Sequence, residues 1–194
     1  MRELITGIVL AGGRSRRMDF QDKSFALYRG TPLIRLAIAS FQACVSHTVV
    51  VTHGEPKAYQ DLDTEVRSDS LHIGMGPLAG LASVATSIRT PWVAIVACDM
   101  PLLPHDWVTS LYDHALSAGA QAAYANQVES NFAAICAVAR SDTLQIADSL
   151  LRKDERSWAA WLDTIGAVAW TGLNARQLTN VNTLNQLNES DRSG

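Results

Sequence analysis

The segment WVAIVACD, residues 92–99, runs through seven apolar positions before it reaches a charge. A strand that is apolar at successive positions must be covered on both faces, the condition of a central strand in a sheet flanked by helices. Similar short runs rich in Val and Ile, Thr6–Ala11 and Thr48–Val51, alternate with segments of helical period. That alternation predicts an α/β fold with a mostly parallel sheet. Thr31-Pro32 reads as an N-cap and N1 pair opening a helix over Leu33–Ala43. Glu65–Ser68 is a short strand, and Pro77–Ile88 and Asp106–Leu116 are helices. Ala120–Ala125 and Asn131–Val138 form an antiparallel insertion, because the turn between them is too short for a crossover helix. Helices over Asp142–Leu151 and Ser157–Ile165 lead to a late strand near Ala167–Thr171, and residues 189–194 read as a polar tail.

The length of 194 residues predicts one domain, 1–194, with no internal repeat. The apolar runs are too short to cross a bilayer. The opening MRELITGIVLAGG lacks a signal-peptide cleavage pattern, so a cytoplasmic protein is expected, with no membrane partner. Cys44, Cys98 and Cys136 sit in apolar segments and read as free thiols. Charge is unevenly placed: residues 1–35 hold seven Lys/Arg against three Asp/Glu, and the remainder nine against sixteen. A basic N-terminal region on an acidic body suits a small anionic ligand held at one place and argues against nucleic acid, which needs a wider basic surface.

Ligands of open α/β sheets bind beyond the carboxyl ends of the strands, where the chemistry-bearing residues of this chain recur. After the first strand, Gly12 and Gly13 allow close backbone approach, and Arg14, Arg16, Arg17 and Lys23 can neutralise phosphate charge. The loop matches neither G-x-G-x-x-G nor the Walker pattern, and a solvated basic turn is the competing reading. Asp99, in CDMPLLP (98–104), stands at the end of the apolar strand. It could hold Mg²⁺, which takes one or two protein carboxylates plus phosphate and water oxygens, or it could cap the turn before Pro101. Asp69 follows a strand in the same way. GMGPLAGL (74–81) could press backbone against a flat ring, or it could be a tight strand-to-helix connection. Asn180 and Asn182 place two amides on one face of an extended segment, or form ordinary loop polarity. The histidines lack metal-ligand spacing, and no Ser or Cys has a partner base.

In that order, LAGGRSRRM…DKS, GPLAGL, CDMPLLP and NVNT resemble the motifs of the molybdenum cofactor guanylyltransferases, from the first strand to about residue 187. DERSWAAWLDTIGAV (154–168) is similar to that family's late helical segment. The resemblance implies a three-layer α/β/α Rossmann-like nucleotidyltransferase fold. It implies GTP as substrate, Mg²⁺ as metal, and transfer of GMP to the terminal phosphate of molybdopterin. Cofactor-insertion proteins and recipient molybdoenzymes follow as further partners. By matching position, Leu10, Ala11, Gly12, Gly13, Asp69, Gly76, Pro77 and Leu78 are expected at the nucleotide. Lys23 and Arg17 are expected at the reacting phosphates, Asp99 at the metal, and Asn180 and Asn182 toward the acceptor.

Three departures accompany the resemblance. Asp19-Phe20 replaces the usual glycine after RRM, and is expected to form a loop tip projecting away from the phosphates while Lys23 points in. Val51-Thr52-His53 stands where the family has an asparagine, and NQVESNF (126–132) lacks the family's proline. The alternatives are a cytidylyltransferase or sugar-phosphate nucleotidyltransferase of the same fold, a non-catalytic nucleotide-binding adaptor, and a dinucleotide-binding oxidoreductase.

Overall fold

In the computed structural model, residues 1–11, 22–69, 74–126 and 134–181 are described. Nine strands and five α-helices form there, in the order β1 (Ile5–Ala11), β2 (Leu27–Tyr28), β3 (Thr31–Pro32), α1 (Leu33–Phe41), β4 (His47–Thr52), β5 (Glu65–Ser68), α2 (Pro77–Val84), β6 (Trp92–Ala97), α3 (Trp107–Ser117), β7 (Ala122–Ala125), β8 (Cys136–Arg140), α4 (Gln145–Leu151), α5 (Trp158–Thr164) and β9 (Val168–Trp170). Seven of the strands make one sheet in the order β5-β4-β1-β6-β8-β7-β9. Strands β5, β4, β1 and β6 are mutually parallel, and β9 is parallel to β7. Among the described residues β8 alone runs against its neighbours, antiparallel to both β6 and β7.

Alternate residues of β1 supply two cores. Ile5, Val9 and Ala11 pack with Ile34, Ala37 and Phe41 of α1 and Trp107, Val108 and Leu111 of α3. Ile8 and Leu10 pack on the other face with Leu78, Leu81 and Val84 of α2, Ala147 and Leu151 of α4, and Trp161 of α5. The result is the three-layer arrangement expected from the apolar strands. Gly7 lies in mid-strand because the ring of Phe41 covers it: a Cβ built there would stand 2.4 Å from the ring carbon Cε2. Phe41 is 1% exposed and has no room to retreat. Gly7→Val is therefore expected to cost about 1–3 kcal/mol by overpacking, read as a lower urea midpoint at unchanged slope.

Several boundaries depart from the sequence reading. Thr31-Pro32 is not an N-cap and N1 pair but the second strand of a small hairpin, Leu27 facing Pro32 and Tyr28 facing Thr31. Its two turn residues, Arg29 and Gly30, both have positive φ (50° and 77°), as a type I′ connection requires. Pro32 occupies the N-cap position, and the first helical amide, Leu33 N, donates to Ala26 O at 2.9 Å. Helix α2 stops at Val84 rather than Ile88. The hydroxyls of Ser83 and Ser87 bond back to the carbonyls of Gly80 and Val84, a local competitor to the helical ladder. The expected antiparallel pair forms, but β8 begins at Cys136 and is inserted between β6 and β7. It is an interior strand of the main sheet, not an appendage. Residues 131–133 of the expected strand lie outside the described residues.

Candidate active site

The carboxyl ends of β5, β4, β1 and β6 emerge along one sheet edge. Strand β1 lies between β4 and β6, so the crevice of an open α/β sheet falls at Ala11. Ala11 faces Thr52 across the β1–β4 ladder, and Leu10 faces Ala97 on β6. Cys98 N donates to Leu10 O at 3.2 Å, extending that pairing by one residue and carrying Asp99 just past it. From the other side Val181 N donates to Asp99 O at 2.9 Å. Val181 is thereby fastened just past the end of β6.

Lys23 Nζ donates to Asp99 Oδ2 at 2.6 Å. The two residues are 76 apart in sequence, and their side chains are only 12% and 16% exposed. A pair this sheltered is screened little by salt, and removing one partner strands the other's charge. Among the described residues Asp99 Oδ1 is buried with no hydrogen-bond partner, and so is Asn180 Oδ1. The Asp99 oxygen stands beside the Lys23 ammonium, and a ligand carrying donors or a cation would satisfy it.

Lys23 belongs to a single 3-10 turn, Lys23–Phe25. Asp22 caps it, Oδ1 accepting from Ser24 N at 3.0 Å. Tyr59, fully buried at the end of the 3-10 turn Pro56–Tyr59, donates to Asp22 Oδ2 at 2.5 Å. Burial, and then the Asp22 carboxylate, raise the Tyr59 pKa, so the phenol keeps its proton. Burial, followed by the neighbouring Asp99, pushes the Cys98 thiol up to about 12. It is a neutral donor or acceptor beside Ser24 Oγ (3.6 Å) and not a thiolate nucleophile.

Asp69 lies at the far end of the same edge. Its amide donates to Thr52 O at 3.1 Å and its side chain is 2% exposed. Oδ2 rests against His53 Nδ1, a close contact rather than an aligned hydrogen bond, and Oδ1 has no hydrogen-bond partner among the described residues. Strands β4 and β1 separate β5 from β6, so Asp69 and Asp99 stand about 14 Å apart at ordinary strand spacing. They are two places along one crevice, not a carboxylate pair. His53 falls within Val51-Thr52-His53, where the expected asparagine is missing.

At the start of α2, Gly74 and Gly76 hold φ of 77° and 78°, conformations that demand glycine, and Pro77 occupies the first turn. Leu10 (8% exposed), Ala11 (2%) and Leu78 (0%) turn their side chains into the core, so none of these side chains is open to a ligand. Gly12, Gly13, Arg17 and Asn182 lie outside the described residues, as do Arg14, Arg16 and the Asp19-Phe20 pair. Among the described residues no cluster of three or more His, Cys, Asp or Glu could hold a metal, and no helix is long and apolar enough to cross a membrane.

The profile of the MobA-like NTP transferase domain matches residues 7–165, which include Lys23, Asp69 and Asp99. The chain belongs to this family. It is an enzyme of the nucleotidyltransferase type. A molybdenum cofactor guanylyltransferase of Yersinia pestis is 36% identical over 185 residues, covering 94% of this chain and 93% of that protein. Among solved structures, the molybdopterin-guanine dinucleotide biosynthesis protein A of Archaeoglobus fulgidus has a TM-score of 0.77 at 20% identity, covering 96% and 97% of the two chains. The 2-C-methyl-D-erythritol 4-phosphate cytidylyltransferase of Thermus thermophilus follows the same path at a TM-score of 0.72 and 13% identity, covering 95% and 96%. These two likenesses establish the MobA-like NTP transferase fold, with its mostly parallel sheet. Sequence reasoning had placed Lys23, Asp69 and Asp99 on this edge but missed Asp22, Ser24, His53 and Tyr59. The D-x-S capping pattern at 22–24 was a readable signal; a lone tyrosine in a polar stretch was not.

Proposed function

We propose that this MobA-like enzyme transfers GMP from GTP to the terminal phosphate of molybdopterin, releasing pyrophosphate and forming molybdopterin guanine dinucleotide. The observation that carries the reading is the sheltered Lys23–Asp99 pair, set by β1 and β6 at the sheet's crevice with Asp99 Oδ1 left over. An oxygen of the acceptor phosphate attacks the α-phosphorus of GTP. The bond to the bridging oxygen of the β-phosphate breaks, and pyrophosphate leaves with that electron pair. A phosphate monoester is already about −1.5 to −2 in charge at neutral pH, so the attack needs no general base. The protein's work is to align two anions and offset their repulsion, which calls for Lys23 and the arginines of the first loop. Asp99 Oδ1 fits a hard cation taking one protein carboxylate, and it is the oxygen that would hold Mg²⁺. When bound, Mg²⁺ supplies Lewis-acid stabilisation of phosphate charge. Asp69 and the main chain at Gly76–Leu78 serve the nucleoside, and Asn180 the acceptor.

The test is pyrophosphate release by purified protein with Mg²⁺, molybdenum cofactor and GTP or CTP in turn. Release with GTP is expected to exceed that with CTP by at least about tenfold, as a site reading base edges requires. Faster release with CTP would reassign the nucleotide, and no release with either would remove the catalytic reading.

A further inference from the structure

Ala11 and Asp22, 11 residues apart in sequence, both approach one atom. The hydroxyl of Tyr59 lies 2.5 Å from Asp22 Oδ2 and 3.4 Å from Ala11 O. Its single proton goes to Asp22, the nearer and charged acceptor. Thr52 Oγ1, at the end of β4, lies 3.2 Å away and donates to it, while itself accepting from Gly54 N at 2.9 Å. Ser24 Oγ stands 3.3 Å from the same hydroxyl, and the ring of Phe25 packs on the Tyr59 ring with centroids 4.9 Å apart. Tyr59 therefore touches residues 22, 24 and 25, the neighbours of Lys23, and ties them to the end of β4.

A three-residue 3-10 turn has little stability of its own, and a lysine ammonium on four flexible carbons is aimed only as well as its backbone is held. We infer that Tyr59 is a positioning residue of the transfer reaction: its buried hydroxyl, held by Thr52 at the end of β4, holds Asp22 and through it sets Lys23 against Asp99. The inference rests on the reading that Lys23 engages the nucleotide's phosphates. Tyr59 itself touches no reacting atom. Its phenol keeps the ring volume of a core residue while adding the polar contacts that a phenylalanine lacks.

The test is a double-mutant cycle between Tyr59→Phe and Lys23→Met. It is read in kcat for pyrophosphate release and in the Kd, by calorimetry, of whichever of GTP, CTP, ATP and UTP the wild-type chain binds most tightly. With Lys23 present, Tyr59→Phe is expected to lower kcat about 10- to 30-fold and weaken triphosphate binding about fivefold. On the Lys23→Met background both losses are expected to shrink below twofold, because Tyr59 acts through that side chain. Equal losses on both backgrounds, or wild-type kcat in Tyr59→Phe, overturn the inference. Thr52→Val, which removes the hydroxyl's β4 anchor while keeping the side-chain shape, is run alongside. It should show the same coupling at about threefold, and a full Thr52→Val loss without Lys23 overturns the inference even where Tyr59→Phe does not fold. If Lys23→Met alone binds and turns over like wild type, the catalytic reading of Lys23 fails, and the inference with it. Tightest binding of a triphosphate other than GTP corrects the proposed substrate, and the same cycle on that nucleotide decides the inference. Binding of none of the four overturns both.

Discussion

Asp99→Ala is expected to lower pyrophosphate release by at least about 10²–10³-fold, the loss typical of removing one preorganised group that stabilises transition-state charge. The effect is large because Asp99 does two things with its two oxygens. Oδ2 holds the Lys23 ammonium at 2.6 Å, and Oδ1 is buried with no hydrogen-bond partner among the described residues. Asp99→Asn preserves the size of the side chain and removes the charge. It is expected to fall nearly as far in turnover, because a neutral amide neither holds a hard cation well nor fixes the ammonium. Circular dichroism should remain that of the wild type in both variants. The anchoring contact between Val181 and residue 99 is made by the main-chain carbonyl and survives the substitution. Raising Mg²⁺ should recover part of the Asp99→Asn loss and none of a loss caused by misfolding. Unchanged turnover in either variant would sink the assignment of Asp99.

The largest expected loss of stability lies elsewhere, in the segment DERSWAAWLDTIGAV. Trp161→Ala is expected to cost about 3–5 kcal/mol, as for other buried tryptophans. Its side chain is wholly buried, its indole Nε1 donates to Thr143 O at 3.2 Å, and its ring lies 4.9 Å from that of Trp158 at 30°. The substitution opens a cavity between α5 and the sheet and removes the indole's bond to Thr143 O. A chain of this length loses about 2–4 °C of melting temperature per kcal/mol, so scanning calorimetry should show a drop of roughly 10 °C. Activity per folded molecule at low temperature is expected to persist, because the Lys23–Asp99 pair is held from the 22–25 turn and the end of β6 and not from α5. The segment is thus a packing element. Its two tryptophans each end on a main-chain carbonyl, Thr143 and Ala134.

What was legible in the sequence follows from how local each cause is. Strands β6 and β1 stood out because a strand covered on both faces must be apolar at every position, and β5 was bounded correctly at Glu65–Ser68. The position of Asp99 followed from its place after such a strand. The hairpin Leu27–Pro32 was hidden because its turn uses Arg29 in the left-handed region, where Asn or Asp is the usual marker, and because each strand is only two residues long. The interior place of β8 was hidden for another reason: a short antiparallel connection looks the same in sequence whether the pair hangs from the sheet or is built into it. Tyr59 could not be found, since its role exists only where residues 11, 22, 24 and 52 converge. The contact of Lys23 with Asp99 spans 76 residues and is set by the β1–β6 pairing, which no local pattern encodes.

The reversed direction of β8 also settles where the chain can change at little cost. The connection from Ala125 to Cys136 leaves β7 and enters β8 on the same edge that carries Asp99, with no crossover to complete. Its length is therefore decoupled from the sheet: residues can be added or removed there without moving a strand or a helix. On the other side of β1 the connections carry helices or the Asp22–Tyr59 network and have no such freedom. One antiparallel strand thereby gives the crevice two unlike sides: one whose connections are fixed by helices or by the Asp22–Tyr59 network, and one joined without a crossover.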